Sequence, residues 1–185
     1  MSSHSGWILG FSGGIASGKT SISMKVAEQL GWKWASFGDL VREEARLRGL
    51  SHERRVLQNL GQALVERELH TFCAAMLRSL NWELGRNGVI DGIRHREVLL
   101  ELRRIAAPAR VDLIHLFADV DTREHRIEDE GDSSIRKVED HEAESQSRAI
   151  LVEYSSLVVD SRRPIKECVN AVLQWIEETR TPHQL

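Results

Sequence analysis

The clearest chemistry in the chain lies in one short run, Gly13-Gly14-Ile15-Ala16-Ser17-Gly18-Lys19-Thr20. Its spacing, G-x-x-x-x-G-K-[ST], is that of a loop that cradles phosphates. The glycines admit backbone conformations closed to other residues. Successive N–H groups can then converge on phosphate oxygens at the mouth of the following helix. Lys19 reaches the outer phosphates, the Thr20 hydroxyl can ligate Mg²⁺, and Ser21 completes the segment. ATP with Mg²⁺ is the expected ligand pair. The dinucleotide fingerprint G-x-G-x-x-G is absent here, which argues against hydride chemistry.

Three further groups bear on where the phosphoryl group would go. Gly38-Asp39-Leu40-Val41-Arg42 follows an apolar stretch. Asp39 and Arg42 would lie near an acceptor, since strand C-terminal ends surround the crevice of an open parallel sheet. The plainer alternative is an N-capping Asp with surface arginines. Asp91-Gly92-Ile93-Arg94 places one acid to organise Mg²⁺ and one base to face a phosphate. The plainer alternative is a strand-to-helix turn capped by the Asp. Arg126, with Arg123 three residues before it, would sit over the triphosphate and neutralise the transferring group. Charged helices of this kind are often only a solvated face, and Arg123 fits that description better than Arg126. Gln58 and Gln62 share a helix face and either read a base edge or meet solvent. If the acceptor is a hydroxyl, Asp39 is the candidate base.

These residues need a scaffold, and the hydrophobic pattern supplies one. Short apolar runs at 7–11, 32–37, 88–91, 111–118 and 157–160 predict five strands. Helical spacing predicts helices over 17–30, 96–106, 121–130 and 164–178, with a long helical stretch over 39–81 broken near Leu50-Ser51, where Ser51 can cap the restart. A loop at 131–134 leads into a further polar helix towards Ala149. Strands alternating with helices imply an α/β fold with a parallel sheet covered on both faces. His115 reads as a core residue, His95 as a neighbour of the acceptor side, and Cys73 and Cys168 as buried and inert. The five tryptophans show no stacking stripe, and Trp175 belongs to the packing of the last helix.

With these residues on view, the chain resembles the nucleoside monophosphate kinase superfamily. GGIASGKT resembles its phosphate loop, GDLVR its acceptor-side arginine segment, and DGIR the DGFPR segment of adenylate kinases without the proline. A closer resemblance is to small kinases related to adenylate kinase and dephospho-coenzyme A kinase, in which GD-x-VREEA, VIDGIR and TR-x-x-R recur. Residues 55–61 are similar to an LLQ-x-LG stretch of phage-type deoxynucleoside monophosphate kinases. The resemblance implies a three-layer phosphate-loop fold with a helical acceptor-binding insertion at 39–81 and a short lid at 131–148. It also implies that Arg42 and Arg94 hold the acceptor phosphate and that Asp91 organises Mg²⁺. Where adenylate kinases carry a further arginine four residues after the one matching Arg126, this chain has Glu130.

Composition sets the outer bounds. The 185 residues suit one domain, and the formal charge of −3 argues against a general nucleic-acid binder. That charge is uneven, because residues 121–144 hold ten acids and four bases. Two cysteines suit a reducing, cytoplasmic setting, and no apolar run approaches a membrane span. The expected activity is therefore transfer of the ATP γ-phosphoryl group to a nucleotide-like acceptor, foremost a (deoxy)nucleoside monophosphate. Phosphorylation of a hydroxyl, as in dephospho-coenzyme A, and a regulatory ATPase acting on a protein partner are the alternatives.

Overall fold

The computed structural model describes residues 5–129 and 151–180. Five parallel strands form one sheet in the order β2-β3-β1-β4-β5. They are β1 (Trp7–Gly13), β2 (Lys33–Ser36), β3 (Gly88–Asp91), β4 (Arg110–Phe117) and β5 (Leu157–Asp160). The helices are α1 (Lys19–Leu30), α2 (Phe37–Leu47), α3 (Arg54–Ser79), α4 (Arg96–Ala106), α5 (Val120–Asp129) and α6 (Ile165–Arg180). The predicted α/β architecture is thus the observed one.

Two cores follow from the alternation of side chains along each strand. Ile8, Ile90 and Leu113 point to one face, where α2, α3 and α4 bury Phe37, Leu64, Phe72, Met76 and Leu99. Their neighbours Leu9, Val89 and Ile114 point to the other face, under Ile22 and Val26 of α1 and Val169, Val172 and Ile176 of α6.

Helix starts differ from expectation in two places. Helix α2 begins at Phe37, two residues before Asp39, because the Ser36 hydroxyl accepts from the Gly38 N–H (3.1 Å) and caps it. Asp39 is therefore inside the first turn and is not the cap. Ser51 accepts from the Glu53 N–H (3.0 Å), but the N-cap position of α3 is Glu53 itself. Helix α3 is also kinked at Glu68 (φ −134°, ψ 28°), and both halves feed the core, Leu60, Leu64 and Val65 before the kink and Phe72, Cys73 and Met76 after it, while Gln58 and Gln62 lie on the exposed side of the first half. Arg48 bridges Glu44 of α2 (2.6 Å) and Glu68 (3.4 Å) across this kink.

At the N-terminal end of the sheet, tryptophans distant in the chain meet. Trp7 lies 6.1 Å from Trp32 and 5.8 Å from Trp175, ring centre to ring centre. Arg110 sits 4.6 Å above the Trp7 ring, and Arg180 covers Trp32 at 5.3 Å. Beneath them, Asp112 accepts from the Trp7 indole (2.7 Å) and the Ser156 hydroxyl (2.6 Å), and it pairs with Arg110. A polar side chain this buried is costly unless its oxygens find partners, and here they do. Asp112→Ala would orphan the indole N–H and is expected to lower unfolding free energy by about 2–3 kcal/mol in urea titrations.

Candidate phosphate-transfer site

The phosphate loop runs from the end of β1 into α1. Gly13 takes φ 151° and Gly18 takes φ 78°, both closed to side chains. Ala16 adopts a left-handed φ of 57°, and the Ser17 N–H closes the turn onto the Gly14 carbonyl at 3.2 Å. The first N–H groups of α1 face outward without intrahelical partners, as any helix start requires. Ser17 is fully buried, and its hydroxyl has no hydrogen-bond partner. The Lys19 ammonium donates to the Gly14 carbonyl at 3.1 Å, folded across its own loop.

Register brings the acid to this loop. Asp91 pairs with Phe11 on one side and with Ser36 on the other, so it stands at the C-terminal end of the sheet between β1 and β2. The Thr20 hydroxyl donates to Asp91 Oδ2 at 2.7 Å. Asp91 is 2% exposed, and its Oδ1 has no hydrogen-bond partner. Burial raises its carboxyl above the ordinary range, against the pull of the Thr20 hydroxyl, Lys19 and Arg94. A buried, partnerless carboxylate oxygen next to a threonine hydroxyl is an all-oxygen donor set, which suits Mg²⁺. The residues fit the ion.

The segments around Arg42 and Arg94 are adjacent in space. A methyl group on Gly92 would lie 3.7 Å from Phe37 Cβ and 3.9 Å from the Gly38 nitrogen. The Gly38-to-Arg42 turn and the Asp91-to-Arg94 turn therefore touch, although about fifty residues separate them. Arg42 donates to Asp39 at 2.7 Å, and both side chains are exposed. Arg94 is exposed at the same end of the sheet and acts electrostatically on Asp91. Gln58 and Gln62 lie on the exposed side of α3, where Gln62 donates to Glu66 at 2.8 Å.

Helix α5 holds a surprise. Arg126 donates to two backbone carbonyls, Ala16 at 3.1 Å and Ser161 at 2.5 Å. Arg123, which the sequence assigns to a solvated face, is 5% exposed and lies against Gly14. A signal was available, since Arg123 is one helical turn before the buried Ile127. The proposed lid at 131–148, with Arg136 and Arg148, and the substitution at Glu130 lie outside the described residues.

His115 is buried and hydrogen-bonds with the Ser12 hydroxyl through Nδ1 (3.0 Å). Burial lowers the His95 pKa, with Glu97 and Glu66 opposing. Both cysteines are buried and unpaired as disulfides, and burial pushes the Cys73 thiol up to about 12. Among the described residues no helix is long and apolar enough to cross a membrane.

Residues 12–145 match a family model described as an AAA domain. A UPF0200 protein of Aeropyrum pernix is 35% identical over 128 residues, 69% of this chain. The matched part is 65% of that protein, so the chain spans just under two thirds of its relative's length. A shikimate kinase from Aquifex aeolicus superposes with a TM-score of 0.63 over 93% of this chain and 97% of its own, at 14% identity. A gluconokinase from Sinorhizobium meliloti does so with a TM-score of 0.58 over 95% and 94%, at 17% identity. At such identities the likeness is one of fold.

Proposed function

The chain belongs to this AAA domain family, and from that premise we propose that it is an ATP-dependent kinase for a small, nucleotide-like acceptor. One observation carries the reading. The Asp39–Arg42 turn and the Asp91–Arg94 turn adjoin each other, and Asp91 is hydrogen-bonded to Thr20 of the phosphate loop. A hydrolytic switch needs the loop and the acid, but it has no use for a paired acid and arginine on the far side of them. The solved kinases of the same fold support the reaction class.

In this reading, backbone N–H groups from Gly13 to Ser21 hold the triphosphate of ATP. Lys19 leaves the Gly14 carbonyl for the outer phosphates. Asp91 and Thr20 would hold Mg²⁺, which when bound neutralises charge developing on the phosphate oxygens. Arg42 and Arg94 bind the acceptor, and Arg126 adds positive charge beside the loop while keeping its two carbonyl bonds. Phosphoryl transfer needs positioning and charge neutralisation more than covalent help. The acceptor oxygen forms the new P–O bond as the bond to the ADP oxygen breaks. A phosphate acceptor, as in a (deoxy)nucleoside monophosphate, needs no strong base. A hydroxyl acceptor needs its proton taken, and Asp39 is the carboxylate at hand once Arg42 has moved to the substrate. The hydroxyl reading is favoured by the acceptors that the shikimate kinase and gluconokinase names state.

The test is ADP release from Mg-ATP with a panel of nucleoside monophosphates, deoxynucleoside monophosphates and dephospho-coenzyme A. Stimulation by one acceptor class is expected. Turnover that no small acceptor raises, but that a protein partner does, would establish the switch instead. Arg42→Ala is expected to raise the acceptor KM by about tenfold or more, the loss of a charge-assisted contact. It should leave nucleotide Kd unchanged. Loss of nucleotide binding in that variant would refute the acceptor-side assignment.

A further inference from the structure

We propose that Arg123 is a positioning residue of the nucleotide site: its buried guanidinium packs against Gly14, shapes the phosphate loop and opposes a side chain at position 14. The proposal rests on the nucleotide-binding half of the reading above and is independent of the acceptor.

Gly14 does not share the backbone requirement of Gly13 and Gly18. Those two have positive φ, and Gly14 does not. Its own conformation would accept alanine. Space is what forbids it: a methyl group on Gly14 would lie 2.9 Å from Arg123 Nη1 and 3.4 Å from Cζ and Cδ. At 2.9 Å something must move, and Arg123 is 5% exposed, so the guanidinium has little room to retreat. One turn further along α5, Arg126 fixes Ala16 through its carbonyl and ties it to Ser161. Helix α5 thus meets the loop at both limbs, at Gly14 and at Ala16. Ala16, in its left-handed conformation, is the kind of strained position that needs such support. The Gly14 carbonyl is also the group that Lys19 and the Ser17 N–H engage. A displaced Gly14 would therefore misplace the lysine and the amide nest together. A loop held in shape before nucleotide arrives loses less freedom on binding, so the brace acts on affinity.

A double-mutant cycle on the full-length protein tests this, with the Kd of a fluorescent ADP analogue in Mg²⁺ as readout. Gly14→Ala alone is expected to weaken binding about tenfold or more, and Arg123→Ala alone to weaken it several-fold. In the Arg123→Ala background, Gly14→Ala is expected to cost less than about twofold, because the methyl group then has space. The same relief is expected in an Arg123→Lys background, which keeps the charge but not the planar fork, and which serves if the alanine variant does not fold. In active variants the ATP KM should rise while the acceptor KM stays put, a split that general destabilisation would not produce. An equal Gly14→Ala penalty in every background, or an unchanged Kd in Arg123→Ala, would overturn the proposal. Failure of the parent protein to bind the probe would instead overturn the phosphate-loop reading itself.

Discussion

Asp91→Asn is expected to leave the fold intact and to reduce Mg²⁺-dependent turnover by about 10²- to 10³-fold, the size seen when a group facing developing charge is neutralised. The side chain is 2% exposed and is held by one hydrogen bond from Thr20, which an asparagine oxygen can also accept. Stability should therefore change by no more than about 1 kcal/mol. What disappears is the anionic oxygen without a partner. The pH dependence separates this cause from a general loss of order. Burial raises the carboxyl above 3.8 in the folded state. Between that ordinary value and the raised one, the folded protein keeps a proton that the unfolded chain has released. Stability contributed by this group is then present at low pH and falls as pH rises through the window. Mg²⁺ binds the ionised form, so its stabilising effect should grow as pH rises and vanish on acidification. Melting curves with and without Mg²⁺ across the acidic range check both, read as the difference between the wild type and Asp91→Asn, since the other carboxylates titrate in both proteins. A Mg²⁺ shift that survives the substitution would place the ion elsewhere.

Lys19→Ala is expected to abolish acceptor-stimulated ADP release, again by about 10²- to 10³-fold in kcat, with little change in melting temperature. Lys19 is half-buried, and its ammonium donates to the Gly14 carbonyl of its own loop. That bond exchanges for phosphate oxygens with little rearrangement, which makes the lysine a reporter of bound nucleotide as well as a source of charge. Lys19→Arg should not restore activity, because a planar fork cannot follow the same path between loop and phosphate. Wild-type turnover in Lys19→Ala would show that the measured ADP comes from another activity.

The site was legible in the chain to different depths. The phosphate loop could be read outright, because each of its fixed residues answers a local requirement of backbone conformation, charge or hydroxyl chemistry. Asp91 could be read because it ends a short apolar run, and strand ends border the crevice. Five strands and most helix limits could be read because periodicity is a local property. The start of α2 could not, since Ser36, Phe37 and Asp39 all fit a helix entrance and the capping bond decides among them.

Other features have no local signature. Arg123 looks like any arginine on a charged helix until α5 is laid against the loop. Trp7, Trp32 and Trp175 lie far apart in the chain and meet only when α1 and α6 cover the same sheet face. The three partners of Asp112 likewise come together only in the fold. The sequence alone thus determined the phosphate chemistry, the α/β class and the acids and arginines able to serve it. The tertiary structure alone decided which arginine is buried against the loop, which acid carries an orphaned oxygen, and that the two acceptor-side turns adjoin. The physical reason is that backbone propensity and charge belong to single residues, whereas burial and contact are properties of pairs brought together from distant parts of the chain.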